Sequence, residues 1–445
     1  MREQLMVAEE DALLFQPILQ AGKKFYLALA VLGGIVLWAV YAWTTQLKSG
    51  LGVTGMNRPV FWGIYITNFV FFIGISHAGT LISAILRICR AEWRRSITRS
   101  AEVITVLVLF FGVANILIDL GRPDRAYFVI LHGRFRSPLL WDVTSITLYL
   151  ICSSIYLYLP LIPDIALLRD RVQRRRWFYT PLALGWRGSQ RQEKWLKRGI
   201  GVMAVLVIPI AVSVHTVVSW VFAMTIQPMW HSTIFGPYFV AGAIFSGIAA
   251  LIIAMAIIRR VYHLQGYLKA IHFNYLGILL LVMALLWLYF TFGEHLTAFY
   301  GGEPSHLAVI YSKLSGHYAP YFWSMFLFCF VVPFALLCNR KTRTIAGTVI
   351  SSISVTIGMW LERFTIVVPT LVNPRLPYAR GFYHPTWVEI SISAGCLAMF
   401  LLLYIVFTKL FPIVSIWEIK EGRERSLIET RERVAAYLPE KGVAV

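Results

Sequence analysis

Eight ionisable side chains interrupt or end long apolar segments of this 445-residue chain. A charge placed in hydrocarbon costs several kcal/mol, about 3 kcal/mol on insertion scales, so such residues normally face a bundle interior and mark a site or a pathway. Histidine and a desolvated carboxylate both exchange protons near neutral pH. We therefore interpret the set as groups for proton chemistry at membrane depth: His77, Asp119, Asp142, His215, Glu294, His295, Glu362 and Arg363.

Quinol oxidation is one reaction that uses such groups. Each quinol hydroxyl needs a proton acceptor at hydrogen-bond distance, and the ring needs an apolar, aromatic slot. His77 lies near the middle of an apolar stretch, and one short loop, carrying Arg122 and Arg125, joins Asp119 to Asp142. His77 with Asp119 or Asp142 therefore supplies the acceptors that this reaction needs.

Simpler roles stay open for the same residues. Asp119 and Asp142 could cap helix ends and pair with the loop arginines. His77 and His215 could each make a structural hydrogen bond between helices. The two histidines could also be axial haem ligands, but such a site usually shows paired histidines on two helices, and each helix here carries one deep histidine.

The charged residues of the later segments have alternatives of their own. Glu362 and Arg363 are adjacent, so they point apart on a helix, and we expect each to pair with a different neighbour. Glu294 and His295 end an apolar segment, where solvent could surround them. The residues alone leave these roles open.

Ten apolar stretches must position these groups. Most are long enough to cross roughly 30 Å of hydrocarbon, which takes about 20 helical residues. Hydrophobic residues make up 58% of the chain and charged residues 14%, a balance typical of an integral membrane protein. The sequence therefore predicts an all-α membrane protein of about ten helices, at 25–45, 59–88, 101–119, 138–160, 200–224, 237–258, 270–292, 320–337, 344–369 and 385–408.

Lys and Arg residues are distributed unevenly between the two sides of these stretches. With the N-terminus on side A, side A carries 31 of them and side B carries 9, with Arg363 inside a span. Because basic residues are enriched in cytoplasmic loops, side A is predicted to be cytoplasmic, together with both termini. The same sidedness accounts for the net charge of +19 through orientation and anionic lipid, so nucleic-acid binding is not indicated.

The spans divide the chain into a retained cytoplasmic segment, a membrane domain and a cytoplasmic tail, at 1–24, 25–412 and 413–445. Within the membrane domain, Gly74 with Gly79 and Gly242 with Gly247 have the same separation in two spans of matching orientation. This weak repeat predicts two four-helix bundles plus two additional helices, with the bundles at 59–224 and 237–369. The long connection 164–198, rich in Trp and Arg, is predicted to lie as a loop at the headgroup level.

The five cysteines are scattered singly, at positions 89, 152, 329, 338 and 396. No C-x-x-C, C-x-x-C-H or ferredoxin-like spacing occurs among them. The chain is therefore predicted to carry no iron–sulfur cluster and no covalently attached haem. We expect the cysteines to be apolar packing residues.

Four segments resemble a known family. They are Asn68 to Arg87, containing Ile75-Ser-His-Ala-Gly-Thr-Leu; Asp119-Leu-Gly-Arg-Pro-Asp-Arg; Ser137-Pro-Leu-Leu-Trp-Asp; and Gly358-Met-Trp-Leu-Glu-Arg-Phe-Thr-Ile-Val-Val-Pro. Together they resemble the polysulfide-reductase membrane subunit (NrfD-like) family over essentially all ten spans. Within that family they are most similar to the ActC subunit of alternative complex III.

The resemblance implies a quinol-oxidising subunit without a redox centre of its own, in a respiratory or photosynthetic complex of the bacterial inner membrane. It implies menaquinol as the quinol, at a site formed by His77, Asp119, Arg125 and Asp142. Electrons would pass to an iron–sulfur subunit on side B, with c-type cytochrome subunits and a homologous membrane subunit as further partners. Proton translocation would use the candidate residues His215, Glu294, Glu362 and Arg363.

Two other classes of protein stay open. A structural membrane anchor of a redox complex would keep the same spans and lack a quinone site. A secondary transporter would also carry charges in its spans, but it more often shows broken helices at a central substrate site, whereas the polar residues here cluster toward side B. Quinone copurified with the protein would separate the anchor from the quinol-oxidising subunit.

Overall fold

The structure, a computed structural model, describes residues 14–15, 18–19, 21–77, 79, 82–377 and 381–437. Most of the predicted segment 1–24 and the end of the tail therefore lie outside the described residues. All regular structure in the described part of the chain is helical. The prediction of an all-α protein is confirmed.

The helices follow one another with short connections. In chain order they are α1 (Lys23–Ser49), α2 (Ile64–His77), α3 (Ser83–Ile88), α4 (Thr98–Asp119), α5 (Pro138–Arg171), α6 (Gln190–Ala223), α7 (Phe235–Val261), α8 (Ala270–Gly301), α9 (Pro304–Leu314), α10 (Ala319–Phe326), α11 (Val332–Leu337), α12 (Ile345–Val372), α13 (Trp387–Leu410) and α14 (Ile416–Tyr437). Shorter helical turns occur at Phe128–Leu131 and Arg176–Leu182.

Nine helical segments in the described residues are long and apolar enough to cross a membrane; they are α1, α4 to α8, α10 joined to α11, α12 and α13. The remaining predicted span is divided between α2, which is apolar but 14 residues long, and α3. This agrees with about ten crossings. Side A then contains the connections after α3, α5, α7 and α11, together with α14, and side B contains those after α1, α4, α6, α8 and α12.

The break between α2 and α3 lies next to a predicted site residue. α2 ends at His77, and Gly79 and Ile82 belong to a wider, π-type turn before α3 begins. A Cβ atom at Gly79 would lie 1.8 Å from the carbonyl oxygen of Ala101 on α4. Only glycine allows the two backbones to approach this closely, and the approach sets the depth of His77 against α4.

Glycine also allows α2, α7 and α12 to meet. A Cβ at Gly74 of α2 would lie 3.2 Å from the hydroxyl of Ser246 on α7. A Cβ at Gly242 of α7 would lie 2.7 Å from Nη2 of Arg363 on α12. α7 packs against both α2 and α12. The absence of side chains at these glycines therefore leaves room for a guanidinium between the three helices.

The tail helix α14 is joined to the membrane domain by a buried ion pair. Arg99 of α4 and Asp164 of α5 lie 3.0 Å apart, with side chains 1% and 0% exposed. Asp164 also accepts hydrogen bonds from the backbone N–H groups of Ile416 and Trp417, at 3.2 and 2.9 Å. One carboxylate therefore satisfies an arginine and the otherwise unpaired N-terminus of α14.

A second carboxylate strengthens the same contact. Glu418 of α14 is buried and pairs with Arg87 and with Arg94, the latter at 3.4 Å. Burial alone would raise the pKa of Glu418, but the charges of Arg87, Arg94 and Arg99 outweigh it and lower that pKa below its usual value. The basic residues at this end of the bundle thus bind the tail as well as facing the membrane surface.

The connection predicted at 164–198 is shorter than expected. α5 continues to Arg171, and α6 begins at Gln190 behind a capping box formed by Ser189 and Gln192. Trp177 is exposed, as a headgroup residue would be, but Tyr179 is buried and donates to the carbonyl oxygen of Leu410. The prediction of a simple interfacial loop is wrong, because this segment packs onto α13.

The cysteines occupy two kinds of environment. Cys329 and Cys396 are buried, as expected for packing residues. Cys89 and Cys338 are exposed at the side A ends of α3 and α11. The packing prediction is wrong for this second pair, because both helices end before the cysteine.

Candidate functional site

His77 and His215 form a buried pair within the membrane domain. Their ring centroids are 3.9 Å apart, and the rings meet edge to face at 72°. Both side chains are 0% exposed. His77 comes from the end of α2 and His215 from α6, while the ring of Tyr149 on α5 lies 5.5 Å from that of His77. The two deep histidines therefore belong to one site.

Hydrogen bonds hold the His77 ring but not the His215 ring. Nε2 of His77 lies 2.6 Å from the carbonyl oxygen of Ala211 on α6. A carbonyl oxygen only accepts, so we assign the proton to Nε2, which leaves Nδ1 as the basic nitrogen. Neither nitrogen of His215 has a hydrogen-bond partner among the described residues. His77 thus makes the interhelical bond of a structural histidine, and His215 is available for proton exchange.

The pair does not fit axial ligation of a haem. The two ligating nitrogens would have to point at one iron from opposite faces of a porphyrin. Rings that meet edge to face at 3.9 Å leave no space for a macrocycle between them.

Glu362 and Arg363 of α12 extend the histidine pair toward α8. Nη1 of Arg363 lies 3.0 Å from Oε2 of Glu362, and both side chains are buried. The expectation that each would pair only with a different neighbour is therefore wrong, because the long arginine side chain folds back onto the carboxylate. Oε1 of Glu362 accepts from the indole of Trp287 at 2.7 Å, and the guanidinium lies 4.9 Å from the ring centroid of Phe239.

Arg363 also lies within electrostatic range of both histidines. Four of the residues singled out from the sequence therefore form one buried cluster: His77, His215, Glu362 and Arg363. A buried charge pair beside two imidazoles provides donors and acceptors for proton exchange in a region without water contact.

Asp119 lies at a different depth from His77. Thr105 of α4 donates to the carbonyl oxygen of Ser76 at 2.6 Å, so Thr105 marks the level of His77 on α4. Asp119 is fourteen residues further along the same helix, about 21 Å at 1.5 Å per residue. The structure therefore does not bring His77 and Asp119 together, and one quinol ring cannot contact both.

Asp142 lies closer to the level of the histidines. It precedes Tyr149 by seven residues of α5, about 10 Å, and the Tyr149 hydroxyl donates to the same Ser76 carbonyl at 3.1 Å. The Asp142 side chain is buried, and its Oδ1 has no hydrogen-bond partner in the described part of the chain. A buried carboxylate in this state has unused capacity to bind a hydroxyl group.

Asp119 adjoins a polar network on side B. Gln46 of α1 donates to the carbonyl oxygen of the residue before Asp119 at 2.7 Å and accepts from Tyr65 at 2.6 Å. Asp119 lies within electrostatic range of Glu389 on α13, whose carboxylate accepts from Tyr383 at 2.6 Å. Burial and the negative charge of Glu389 raise the pKa of Tyr383 far above its usual range. Asp119 is therefore one member of a carboxylate and tyrosine cluster near the surface.

The loop between α4 and α5 does not neutralise these carboxylates as one alternative proposed. Arg122 pairs with Asp124 at 3.1 Å, and both side chains are exposed. Arg125 is also exposed on this loop. Of the proposed quinol ligands, the structure thus buries His77 and Asp142 and leaves Arg125 in contact with the surroundings.

Glu294 and His295 of α8 line a small cavity on side B with Lys313 of α9. Its volume of about 20 Å³ is enough for roughly one water molecule. Glu294 accepts a hydrogen bond from Ser232, and burial lowers the pKa of Lys313 to about 8, although Glu294 and Glu362 oppose that shift. The alternative that solvent surrounds Glu294 and His295 is wrong, since both side chains are largely buried.

Polar side chains of α7 and α8 connect this cavity with the central cluster. Trp287 donates to Glu362, and one turn further along α8 the hydroxyl of Thr291 contacts that of Tyr238 on α7 at 3.3 Å. Glu294 follows within the next turn of α8. These contacts form a line of polar groups from the centre to side B.

Several site residues could not be foreseen from the sequence. Tyr149, Tyr65 and Gln46 are single polar residues in apolar helices and give no local signal. Glu389 belongs to the capping box of α13, which is a visible T-x-x-E pattern. Lys313 is the single basic residue of the connection between the seventh and eighth predicted spans, which was its only signal.

Fold and site together define a polytopic helical membrane protein with buried titratable groups at its centre and on side B. A sequence model of the family described as polysulphide reductase, NrfD, matches residues 52–375. The chain belongs to this family, as its motifs indicated.

Curated relatives cover almost the whole chain. The putative C-type membrane component of dimethyl sulfoxide reductase from Halobacterium salinarum is 26% identical, over 92% of this chain and 96% of the relative. The C subunit of selenate reductase from Mesobacillus selenatarsenatis is 23% identical, over 88% and 95%. The Hdr-like menaquinol oxidoreductase integral membrane subunit of Archaeoglobus fulgidus is 22% identical, over 88% and 94%.

Proposed function

We propose that this chain is the quinol-binding and quinol-oxidising membrane subunit of a respiratory or photosynthetic oxidoreductase complex. It acts as part of that complex and not as an independent enzyme. Family membership supports the proposal, as do the names of the relatives, which describe subunits of dimethyl sulfoxide reductase, selenate reductase and menaquinol oxidoreductase.

The observation that carries the proposal is the buried carboxylate of Asp142 with its unpartnered oxygen, about two turns of α5 from Tyr149 and the histidine pair. A quinol bound in this half of the segment 59–224 would donate one hydroxyl proton to Asp142 and the other to Nδ1 of His77. Its two electrons would leave together with those protons, to an iron–sulfur subunit on side B. Asp119 and Arg125 would then pass the proton from Asp142 toward the surface.

A proton route through the segment 237–369 is a second part of the proposal. His215, Arg363 and Glu362 would exchange the proton taken up by His77, and Glu294 would deliver it to side B. The line of contacts through Trp287 and Thr291 supports this order, because each step joins groups within one buried cluster or one turn of α8.

The finer assignments extend the resemblance. The chain would be the ActC subunit of an alternative complex III in a bacterial inner membrane, with side A and both termini in the cytoplasm. Menaquinol would be its substrate, and c-type cytochrome subunits and a homologous membrane subunit would be its further partners. The scattered cysteines and the geometry of the histidine pair support a chain without an iron–sulfur cluster or haem of its own. The segments 59–224 and 237–369 would be the two bundles.

Asp142→Asn tests the proposal, with Asp124→Asn as the matched control at an exposed side B carboxylate. Complexes purified from native membranes are assayed for bound quinone and for quinol oxidation. We expect quinone in the unmodified complex and the control, and a loss of turnover of roughly 100-fold or more in Asp142→Asn, the range for a positioned base. An artificial donor that reduces the downstream centres directly should be oxidised normally by all three complexes.

A complex that lacks quinone and oxidises quinol equally well with either aspartate replaced would contradict the proposal. The chain would then be a structural anchor. Bound quinone together with normal turnover in Asp142→Asn would move the site away from α5.

A further inference from the structure

Two histidines and a glutamate meet on side B, away from the histidine pair and from the carboxylates of the proposed quinol site. His231 lies in the connection between α6 and α7, and Glu303 and His306 lie at the start of α9. Each offers one ligand atom, and the three atoms lie within 4.8 Å of one another. We propose that these residues form a zinc site that joins the α6–α7 connection to α9.

The donor set matches zinc. Two imidazoles and one carboxylate with an open fourth position for water are a common three-ligand set for Zn²⁺. Tetrahedral ligands at 2.0 to 2.1 Å from the metal lie about 3.3 Å apart, so the three groups must close by about 1.5 Å or less. His231 is exposed and Glu303 partly exposed, so side-chain rotation is sufficient for this closure.

The first turn of α9 orients two of the ligands. Gly302 adopts a left-handed conformation with φ 68°, which reverses the chain after α8, and Pro304 begins α9. Oε2 of Glu303 then lies 3.7 Å from Nε2 of His306, whose nitrogen has no hydrogen-bond partner among the described residues. The spacing of three residues places both side chains on one face of the helix.

Other contacts of Glu303 leave one oxygen available. Its Oε1 accepts from the hydroxyl of Ser305 at 2.8 Å and lies 3.4 Å from Nη2 of Arg375. Groups that hold the second oxygen of a ligating carboxylate fix its orientation and tune the site. Oε2 is thereby directed to the imidazole of His306.

Packing holds the third ligand in reach. Met229, two residues before His231, is buried against Val309 and Ile310 of α9. Ser232, immediately after it, donates to Glu294 of α8. The rings of His231 and His306 have centroids 5.0 Å apart. The backbone on both sides of His231 is thus attached to the same pair of helices that carries the other ligands.

An ordinary ion pair between Glu303 and protonated His306 is the competing explanation. It needs no second imidazole, whereas a zinc site requires His231. His231→Ala therefore separates the two explanations, and His132→Ala provides a matched control at another exposed histidine on side B.

The test uses the full-length protein in its complex. Exposed Cys89 and Cys338 are first alkylated, because free thiols bind zinc, and the protein is stripped with a chelator. Zn²⁺ alone is then titrated against a chromophoric chelator. We expect one tight zinc ion per chain in the unmodified protein and in His132→Ala. Affinity should fall by roughly 10-fold or more in His231→Ala and in His306→Ala, at least the loss known for outer-shell partners.

Thermal unfolding with and without Zn²⁺ checks that the variants are folded. Zinc should raise the Tm of the unmodified protein and of His132→Ala, since a ligand that binds only the folded state stabilises it. It should leave the Tm of His231→Ala unchanged. Equal zinc affinity in all the proteins, or no tight zinc ion in any of them, would overturn the proposal.

Discussion

Replacing His77 with glutamine separates its interhelical hydrogen bond from its proposed proton chemistry. A glutamine amide can donate to the carbonyl oxygen of Ala211 in place of Nε2, but it cannot take up a proton at neutral pH. We therefore expect His77→Gln to fold and assemble while quinol oxidation falls by roughly 100-fold or more. His77→Phe should lose both functions of the imidazole.

The two losses differ in size. The hydrogen bond to Ala211 is a single contact of 2.6 Å, and a typical intramolecular hydrogen bond contributes about 0.5 to 1.5 kcal/mol to stability. A positioned base contributes about 100- to 10,000-fold in rate, which corresponds to about 3 to 5 kcal/mol of transition-state stabilisation. His77→Phe should therefore lower stability by about 1 kcal/mol, beyond which its loss of turnover matches that of His77→Gln.

Quinol oxidation and oxidation of an artificial donor that bypasses quinol are measured in the same purified complexes. Quinol turnover should separate both variants from the unmodified complex, and the artificial donor should not. Near-normal quinol turnover in assembled His77→Gln would refute the reasoning. The imidazole would then be a structural link between α2 and α6.

Three further predictions concern the tail, the side B cavity and the topology. Asp164→Ala leaves a buried arginine unpaired and should cost about 3 to 5 kcal/mol, seen as faster trypsin cleavage of the tail than in the exposed control Asp170→Ala; equal cleavage would contradict it. The pKa of Lys313 is about 8 in the folded chain and 10.5 as the reference, so the unfolded chain binds more protons between these values and stability should rise as pH rises from 8 to 10.5. Lys313→Met should abolish that rise in thermal unfolding measurements, and a persisting slope would show that another group causes it. A membrane-impermeant maleimide should label Cys89 and Cys338 only from the cytoplasmic side, and labelling of intact cells would reverse the topology.

The depth of individual residues could be predicted because hydrophobicity and helical rise are local properties. The apolar segment around His77 is longer than a membrane is thick, so its middle must be deep, whatever its neighbours are. The same reasoning located Asp119 near side B. The long segment could not reveal the interruption after His77, because that break depends on how closely Gly79 meets α4.

The candidate quinol site illustrates the limit of this reasoning. Asp119 and Asp142 end and begin two helices joined by a short loop, which suggested one site with His77. Their helices fix the depths of the two carboxylates separately, and Asp119 lies about 21 Å along α4 from the level of His77. Proximity in sequence at a helix end therefore said nothing about proximity to a residue deep in another helix.

Spans, sidedness and the choice of polar residues at membrane depth follow from composition and order along the chain, because the bilayer acts on each segment independently. The contacts of His77 with His215, and of Arg363 with α2 and α7, follow from helix packing. Small residues such as Gly242 decide which helices approach, and the side chains that fill the space come from segments far apart in the chain. Partner identity is a property of the packed bundle, and for that reason the line of polar groups from the centre to side B became visible only in three dimensions.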